Sequence, residues 1–213
     1  MAEPAFVLLG PPASGKGTQG RLLAERAGLS YFSTGKQLRR EMEAGSEFGR
    51  QAEPFLAAGN YVPDELALAI ALAWLQQVDG GWVLDGFPRT VVQARELDNL
   101  LGDERHNLRA LLLVVPEEEL ERRVGARREC ADCSWTGTIA LAGEAGACPA
   151  CGGELTQRRD DALENFRMRL KAFDELTAPV AHYFEASSRL RRVSGVGDPE
   201  EVFQHLQSAL EDS

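Results

Sequence analysis

The strongest constraint in this chain is a set of short apolar runs that do not alternate with polar residues. Residues 5–9 read AFVLL, 81–85 read GWVLD and 109–115 read RALLLVV. A strand with one wet face carries a polar side chain at every second position, so near-continuous runs belong to parallel strands covered on both faces. Two further candidates are YFS at 31–33 and RLRRVS at 189–194. Helical patterns with start signals lie between them. Thr34 precedes GKQLRREMEAG, Ser46 precedes EFGRQAEPFLAAG, and Pro63 and Pro116 stand at expected first helical positions. Long helical patterns also span about 160–187 and 199–211. Strand and helix in repeated succession predict an α/β fold, a doubly wound five-stranded parallel sheet.

One stretch breaks this rhythm. Residues 130–157, CADCSWTGTIALAGEAGACPACGGELTQ, have no helical periodicity. They predict a small inserted module between the two parts of a core domain, 1–129 and 158–213. Composition excludes several partners. With 33 acidic and 23 basic residues the formal net charge is -10, which disfavours nucleic acid and anionic membrane surfaces. The amino-terminal residues lack a basic leader region, and no apolar window reaches membrane-spanning length. A cytoplasmic location is therefore expected. Arginine makes up 20 of the 23 basic residues. Many are bunched, as at 122–123, 127–128, 158–159 and 167–169, where planar guanidinium forks can grip phosphate oxygens or merely cover a solvated surface.

Directly after AFVLL comes GPPASGKGT, residues 10–18. Strand, glycine loop, lysine and helix in this order form a phosphate-binding loop of the G-x-x-x-x-G-K type. Gly10, Pro12, Ala13, Ser14, Gly15, Gly17 and Thr18 would supply the turn and its inward amides. Lys16 would reach the outer phosphates at the positive end of the following helix. Asp85, closing GWVLD, stands where such a protein holds Mg²⁺ directly or through its waters. The neighbouring Gly86 and Arg89 would share that carboxyl-terminal edge, where open α/β sheets bind ligands.

Cys130 and Cys133, then fourteen residues, then Cys148 and Cys151 give two C-x2-C pairs at near zinc-ribbon spacing. Four thiolates fill a tetrahedral site and leave no open position for substrate water, so a structural Zn²⁺ is expected, with iron as the alternative. Disulfides are disfavoured in a cytosolic chain. The histidines at 106, 182 and 205 join none of these motifs. Transfer to a hydroxyl usually needs a base, whereas a phosphomonoester with a second pKa of about 6 is already ionised near neutrality. Lack of an evident base therefore points to a nucleotide acceptor.

Taken together, these motifs resemble the adenylate kinases, in their long bacterial form with a metal-binding lid, over about residues 5–211. The resemblance implies ATP and AMP as partners in ATP + AMP = 2 ADP, with Mg²⁺ accompanying ATP, in a monomer. It implies an AMP-binding helical segment at about 33–62, where Thr34 and Arg39 in FSTGKQLRR and Gly59, Tyr61 and Val62 in AGNYVPDEL line the pocket. By the same resemblance Gly86 and Arg89 contact AMP and Gln93 reads adenine, whose donor and acceptor pair suits a side-chain amide. Arg123 and Arg127 would hold ATP, and Arg158 and Arg169 would close on the phosphates, with AMP among their partners. Asp160 and Asp161 would orient lid arginines or begin a solvated helix. Three positions depart from the family pattern: Ala13 and Ala126 stand where glycine is usual, and Lys36 where aspartate is common. A kinase for UMP, CMP or GMP, and a zinc-ribbon binding protein with a nucleotide switch, are the rival readings. The second would need a basic, aromatic module, yet residues 130–157 hold one aromatic, Trp135, and no lysine or arginine.

Overall fold

The computed structural model describes residues 3–58, 60–102, 107–133, 135–139, 142, 146–157 and 162–211. Five strands form the main sheet: β1 (Ala5–Leu9), β2 (Ser30–Ser33), β3 (Trp82–Asp85), β4 (Leu108–Val114) and β8 (Leu190–Ser194). Their order is β2-β3-β1-β4-β8, and every neighbouring pair is parallel.

The unbroken apolar runs have their explanation in the two faces of this sheet. Successive residues of a strand point to opposite sides. Val7 and Leu9 accordingly join one buried cluster with Leu84, Ala110 and Leu112, while Leu8 joins another with Val83, Leu111 and Leu113. The first face is covered by α4 (Asp64–Leu75), α5 (Val91–Leu101) and α8 (Ala178–Glu185), through Ile70, Leu97 and Phe184. The second is covered by α1 (Lys16–Ala27) and α9 (Pro199–Glu211), through Leu23, Phe203 and Leu206. No helix among the described residues is long and apolar enough to cross a membrane.

Strand β1 sits between β3 and β4, so the chain winds one way from it to the β2 edge and the other way to the β8 edge. The connections leaving the carboxyl ends of β1, β3 and β4 therefore diverge and open a crevice. Around it lie α2 (Thr34–Glu43), α3 (Glu47–Ala57), α6 (Glu117–Ala126) and α7 (Leu163–Ala172). A small antiparallel sheet, β6-β5-β7, is built from β5 (Arg127–Cys130), β6 (Thr136–Thr138) and β7 (Leu155–Thr156).

Helix starts follow the sequence with small offsets. Ser46 caps α3 by accepting from the Gly49 amide, whereas Pro63 and Pro116 sit at the caps of α4 and α6, one residue before the first helical position expected of them. The pattern at 160–187 contains α7 and α8 joined by a π-helical turn at Phe173–Thr177. Pro179, in the first turn of α8, has no amide hydrogen for the preceding turn, and the wider turn absorbs that loss.

One buried ion pair ties α5 to the start of β8. Arg189 Nη1 and Nη2 donate to Asp98 Oδ1 and Oδ2 at 2.7 and 2.6 Å, and the Tyr183 hydroxyl donates to Asp98 Oδ2 at 2.7 Å. Removing one partner of a buried pair strands the other, a loss of about 3 kcal/mol or more. Asp98→Ala should therefore lower the unfolding free energy from urea denaturation by that amount; a loss below about 1 kcal/mol would reduce this contact to the worth of a surface pair.

Candidate active site

The first βα connection forms the floor of the crevice. Gly15 caps α1 in a left-handed conformation (φ 97°), and Ala13 is also left-handed, at φ 64°. That conformation costs an alanine about 1 kcal/mol relative to glycine. Its methyl group is partly buried against Val115, Leu120, Val124 and Phe166, which offsets the cost.

Lys16 folds back beneath the loop. Its ammonium donates to the Gly10 carbonyl at 2.7 Å and the Pro11 carbonyl at 2.8 Å, with Ser14 Oγ at 3.4 Å. Burial pushes the Lys16 pKa down to about 7; Asp85 opposes the shift, and Arg89, Arg169 and Arg127 add to it. A cationic group is thus held where its own charge is unfavourable.

Above the loop lies a cavity of about 680 Å³. Its lining brings together Gly10, Pro12, Ala13, Ser14, Gly15, Lys16, Gly17 and Thr18 from the loop with Arg39, Tyr61, Asp85, Gly86 and Arg89 on one side. Arg123, Arg127 and Arg169 complete it on the other. Gly59, Arg158, Asp160 and Asp161 lie outside the described residues. Thr34, Val62 and Gln93 stand behind the lining. Thr34 is buried, and its Oγ1 has no hydrogen-bond partner among the described residues. Val62 packs against the core. Gln93 is held at both ends of its amide: Nε2 donates to Asp64 Oδ1 at 2.7 Å and Oε1 accepts from the Arg89 amide at 2.7 Å. Beyond these bonds the amide keeps one hydrogen and one oxygen lone pair, the donor and acceptor a purine needs.

Two arginines of the lining, Arg89 and Arg123, are aimed by their neighbours. Arg89 stacks on the Tyr61 ring at 4.2 Å and donates from Nε to the Gly86 carbonyl at 2.8 Å. Gly86 has φ 81°, and a Cβ there would fall 3.0 Å from Arg89 Nη2, so a side chain would push the guanidinium away. Arg123 donates from Nε to Glu119 at 2.7 Å and from Nη2 to the Gly195 carbonyl at 2.8 Å. Glu119 also accepts two bonds from Arg122, and Arg122 first, then Arg123, hold its carboxyl down to about 2. The EEELERR segment carries this arrangement in its i, i+3 and i, i+4 spacing.

Lys36 of the FSTGKQLRR segment also lines the cavity, and other lining residues lay outside the motifs: Tyr31, Phe173, Thr177, the Thr136–Thr138 strand and the 195–199 loop. Only the loop had a signal, because it leaves the carboxyl end of a parallel strand. Asp198 Oδ1 fixes that loop on α9 by accepting from the Glu200 and Glu201 amides, while Glu201 Oε2 accepts from the Asp198 amide in return.

In the small sheet the four cysteine sulfurs lie within 4.8 Å of one another. Cys130 and Cys151 sulfurs are 3.5 Å apart, and those of Cys133 and Cys148 are 3.7 Å apart. Zinc bound to thiolate at about 2.3 Å in tetrahedral geometry needs edges of nearly this length. The Asp132 and Trp135 amides donate to Cys130 and Cys133 sulfur at 3.4 Å, as a thiolate requires. The donor set therefore suits a metal.

A left-handed loop over a sunken lysine, at the switch point of a parallel sheet and ringed by aimed guanidinium groups, defines a phosphate-loop nucleotide-binding protein. Comparison with known proteins narrows the class. The adenylate kinase family model matches residues 8–189. Adenylate kinases of Archaeoglobus fulgidus, Streptomyces avermitilis and Syntrophotalea carbinolica are 39%, 40% and 41% identical to the chain, each alignment covering 96–97% of both partners. The chain belongs to the adenylate kinase family.

Between about pH 7 and 10.5 Lys16 binds more proton in the unfolded chain than in the ligand-free fold, so this group makes stability rise with pH across that window. Polyphosphate reverses the preference by stabilising the ammonium. ATP binding at about pH 8.5 should take up a fraction of a proton approaching one, measured by calorimetry in buffers of different ionisation heat, and Lys16→Met should abolish it. Equal proton uptake in both proteins would refute this origin.

Proposed function

We propose that the chain transfers the γ-phosphoryl group of MgATP reversibly to AMP, giving two ADP, inside this one cavity. Carrying the reading is the ring of cations around the loop: Lys16 beneath it, Arg89 and Arg39 on one flank, Arg123, Arg127 and Arg169 on the other. Loop amides from Gly10 to Thr18 and Lys16 would hold the β- and γ-phosphates of ATP, and Arg123 and Arg127 would neutralise them. Arg39 and Arg89 would take the AMP phosphate, near Tyr61 and Gly86. Thr34, Gly59, Val62 and Gln93 would meet the base, and Arg158 and Arg169 would close on the migrating group.

Asp85 suits Mg²⁺, a hard cation that prefers carboxylate and water oxygens. When bound, Mg²⁺ supplies charge neutralisation across the ATP phosphates. The protein's own work is positioning and electrostatic stabilisation, because the acceptor phosphate is already ionised and needs no base. Closure of the cysteine-bearing module over the crevice would exclude water as a competing acceptor. Four thiols at tetrahedral spacing favour a structural Zn²⁺ there. The four cysteines, none of them in a disulfide, fit a cytoplasmic setting.

The reading is tested by incubating protein and MgATP with AMP, UMP, CMP and GMP in turn. AMP should give diphosphate at least about a hundredfold faster than the others, and Lys16→Met should lose at least about a hundredfold in turnover. Preferred transfer to a pyrimidine nucleotide or to GMP would reassign the acceptor. For the metal, Cys148→Ser should reduce bound zinc and lower the melting temperature by several degrees, about 2 kcal/mol of lost stability, while turnover at low temperature falls less than threefold or so. A loss of turnover as large as the loss of metal would give the metal more than a structural part.

A further inference from the structure

Tyr31 belongs to no motif of the chain, yet it lines the cavity and its hydroxyl donates to Asp85 Oδ2 at 2.9 Å. Strands β2 and β3 run side by side with Ser33 opposite Asp85, so Tyr31 lies two residues back along the neighbouring strand and reaches forward to the carboxylate. Its ring rests in a groove on α1. A Cβ at Gly20 would fall 2.8 Å from Tyr31 Cε2, and one at Gly17 would fall 3.7 Å from the hydroxyl and 3.4 Å from Asp85 Oδ2. A glycine inside a helix is costly for that helix, and Gly20 clears space that the ring and Leu8 occupy, while a Cβ at Gly17 would only touch the pair.

The hydroxyl has one hydrogen to give, and a carboxylate can only accept it, so the direction of this bond is fixed. Asp85 Oδ1 has no hydrogen-bond partner among the described residues. A carboxylate fixed through one oxygen presents the other in a single orientation, as the outer partners of metal ligands generally do.

We propose that Tyr31 is a positioning residue for phosphoryl transfer, holding Oδ2 of Asp85 so that Oδ1 is set toward the waters of nucleotide-bound Mg²⁺. This rests on the reading of Asp85 given above. The role acts through Asp85 alone, so it alters the metal's contribution to nucleotide binding and leaves the metal-free contribution intact.

Calorimetric titration with ATP in the absence of AMP, with and without Mg²⁺, separates these contributions without turnover. Tyr31→Phe should shrink the Mg²⁺-dependent gain in ATP affinity about fivefold, less than the full worth of a hydrogen bond to a charged group because Asp85 is released rather than removed, with metal-free affinity unchanged and the melting temperature lowered by only a few degrees. In steady state it should raise the Mg²⁺ concentration for half-maximal turnover by a similar factor and leave the KM for AMP alone. Gly20→Ala keeps the hydroxyl but crowds both the ring and Leu8, whose Cδ1 would lie 2.6 Å from the new Cβ, and should reproduce the metal phenotype together with a fall in melting temperature. Asp85→Asn is the reference. If it removes the Mg²⁺-dependent gain while Tyr31→Phe keeps the full gain, the positioning role is overturned and the Asp85 reading stands. If Asp85→Asn itself keeps the gain, both fall together.

Discussion

Repulsion among cations is the constraint on which the site depends. Lys16 feels Arg89, Arg169 and Arg127 closely enough that each lowers its hold on a proton, and burial lowers it further. No such group would collect unaided in a crevice. What holds it together is a second layer of acceptors: carbonyls of Gly10 and Pro11 on Lys16, of Gly86 on Arg89, of Gly195 on Arg123, and the Glu119 carboxylate shared by two guanidinium groups. Most of these acceptors are backbone atoms, which aim the cations without cancelling their charge. A polyphosphate chain is the anion such an arrangement favours.

This explains how much of the site was legible. Lys16, Asp85, Arg89, Arg123, Arg127 and Arg169 can be read in the chain because their charge types and their places after strands or on arginine-rich helices are local features. The continuous apolar runs likewise revealed the parallel sheet, since both faces of β1 and β4 are covered. Strand order was not legible, because it depends on which edges meet after the chain has wound in two directions. Gln93 shows the same difficulty within the site. Its amide chemistry suits a purine, but Asp64, far back at the start of α4, reaches it and takes one of its two hydrogens. Tyr31 meets Asp85 across neighbouring strands, and only the pairing of β2 with β3 brings them together.

The two metal-related groups differ in what the fold asks of them. The cysteine quartet converges within a small sheet whose strands are only two to four residues long, and whose core cannot be large. Such a unit needs a cross-link to be stable, and four thiols with amide donors offer one. Asp85 stands at the end of a central strand whose position is already fixed by the sheet on both sides. There the backbone needs no metal, and what remains to be set is the direction of a single carboxylate.

Ala13 shows why the loop tolerates its strained residue. Its methyl group touches the cluster of Val115, Leu120, Val124 and Phe166, which lies between the loop, α6 and α7. Arg123 stands between Leu120 and Val124 on α6, and Arg169 follows Phe166 by one helical turn on α7. The apolar contact therefore joins the phosphate-binding turn to the two helices that carry its arginines. Glycine at this position would relax the left-handed backbone but release the loop from that contact, and the conformational entropy gained would blur the register between amides and guanidinium groups. A small backbone cost at one residue thus secures the relative placement of the anion-binding elements.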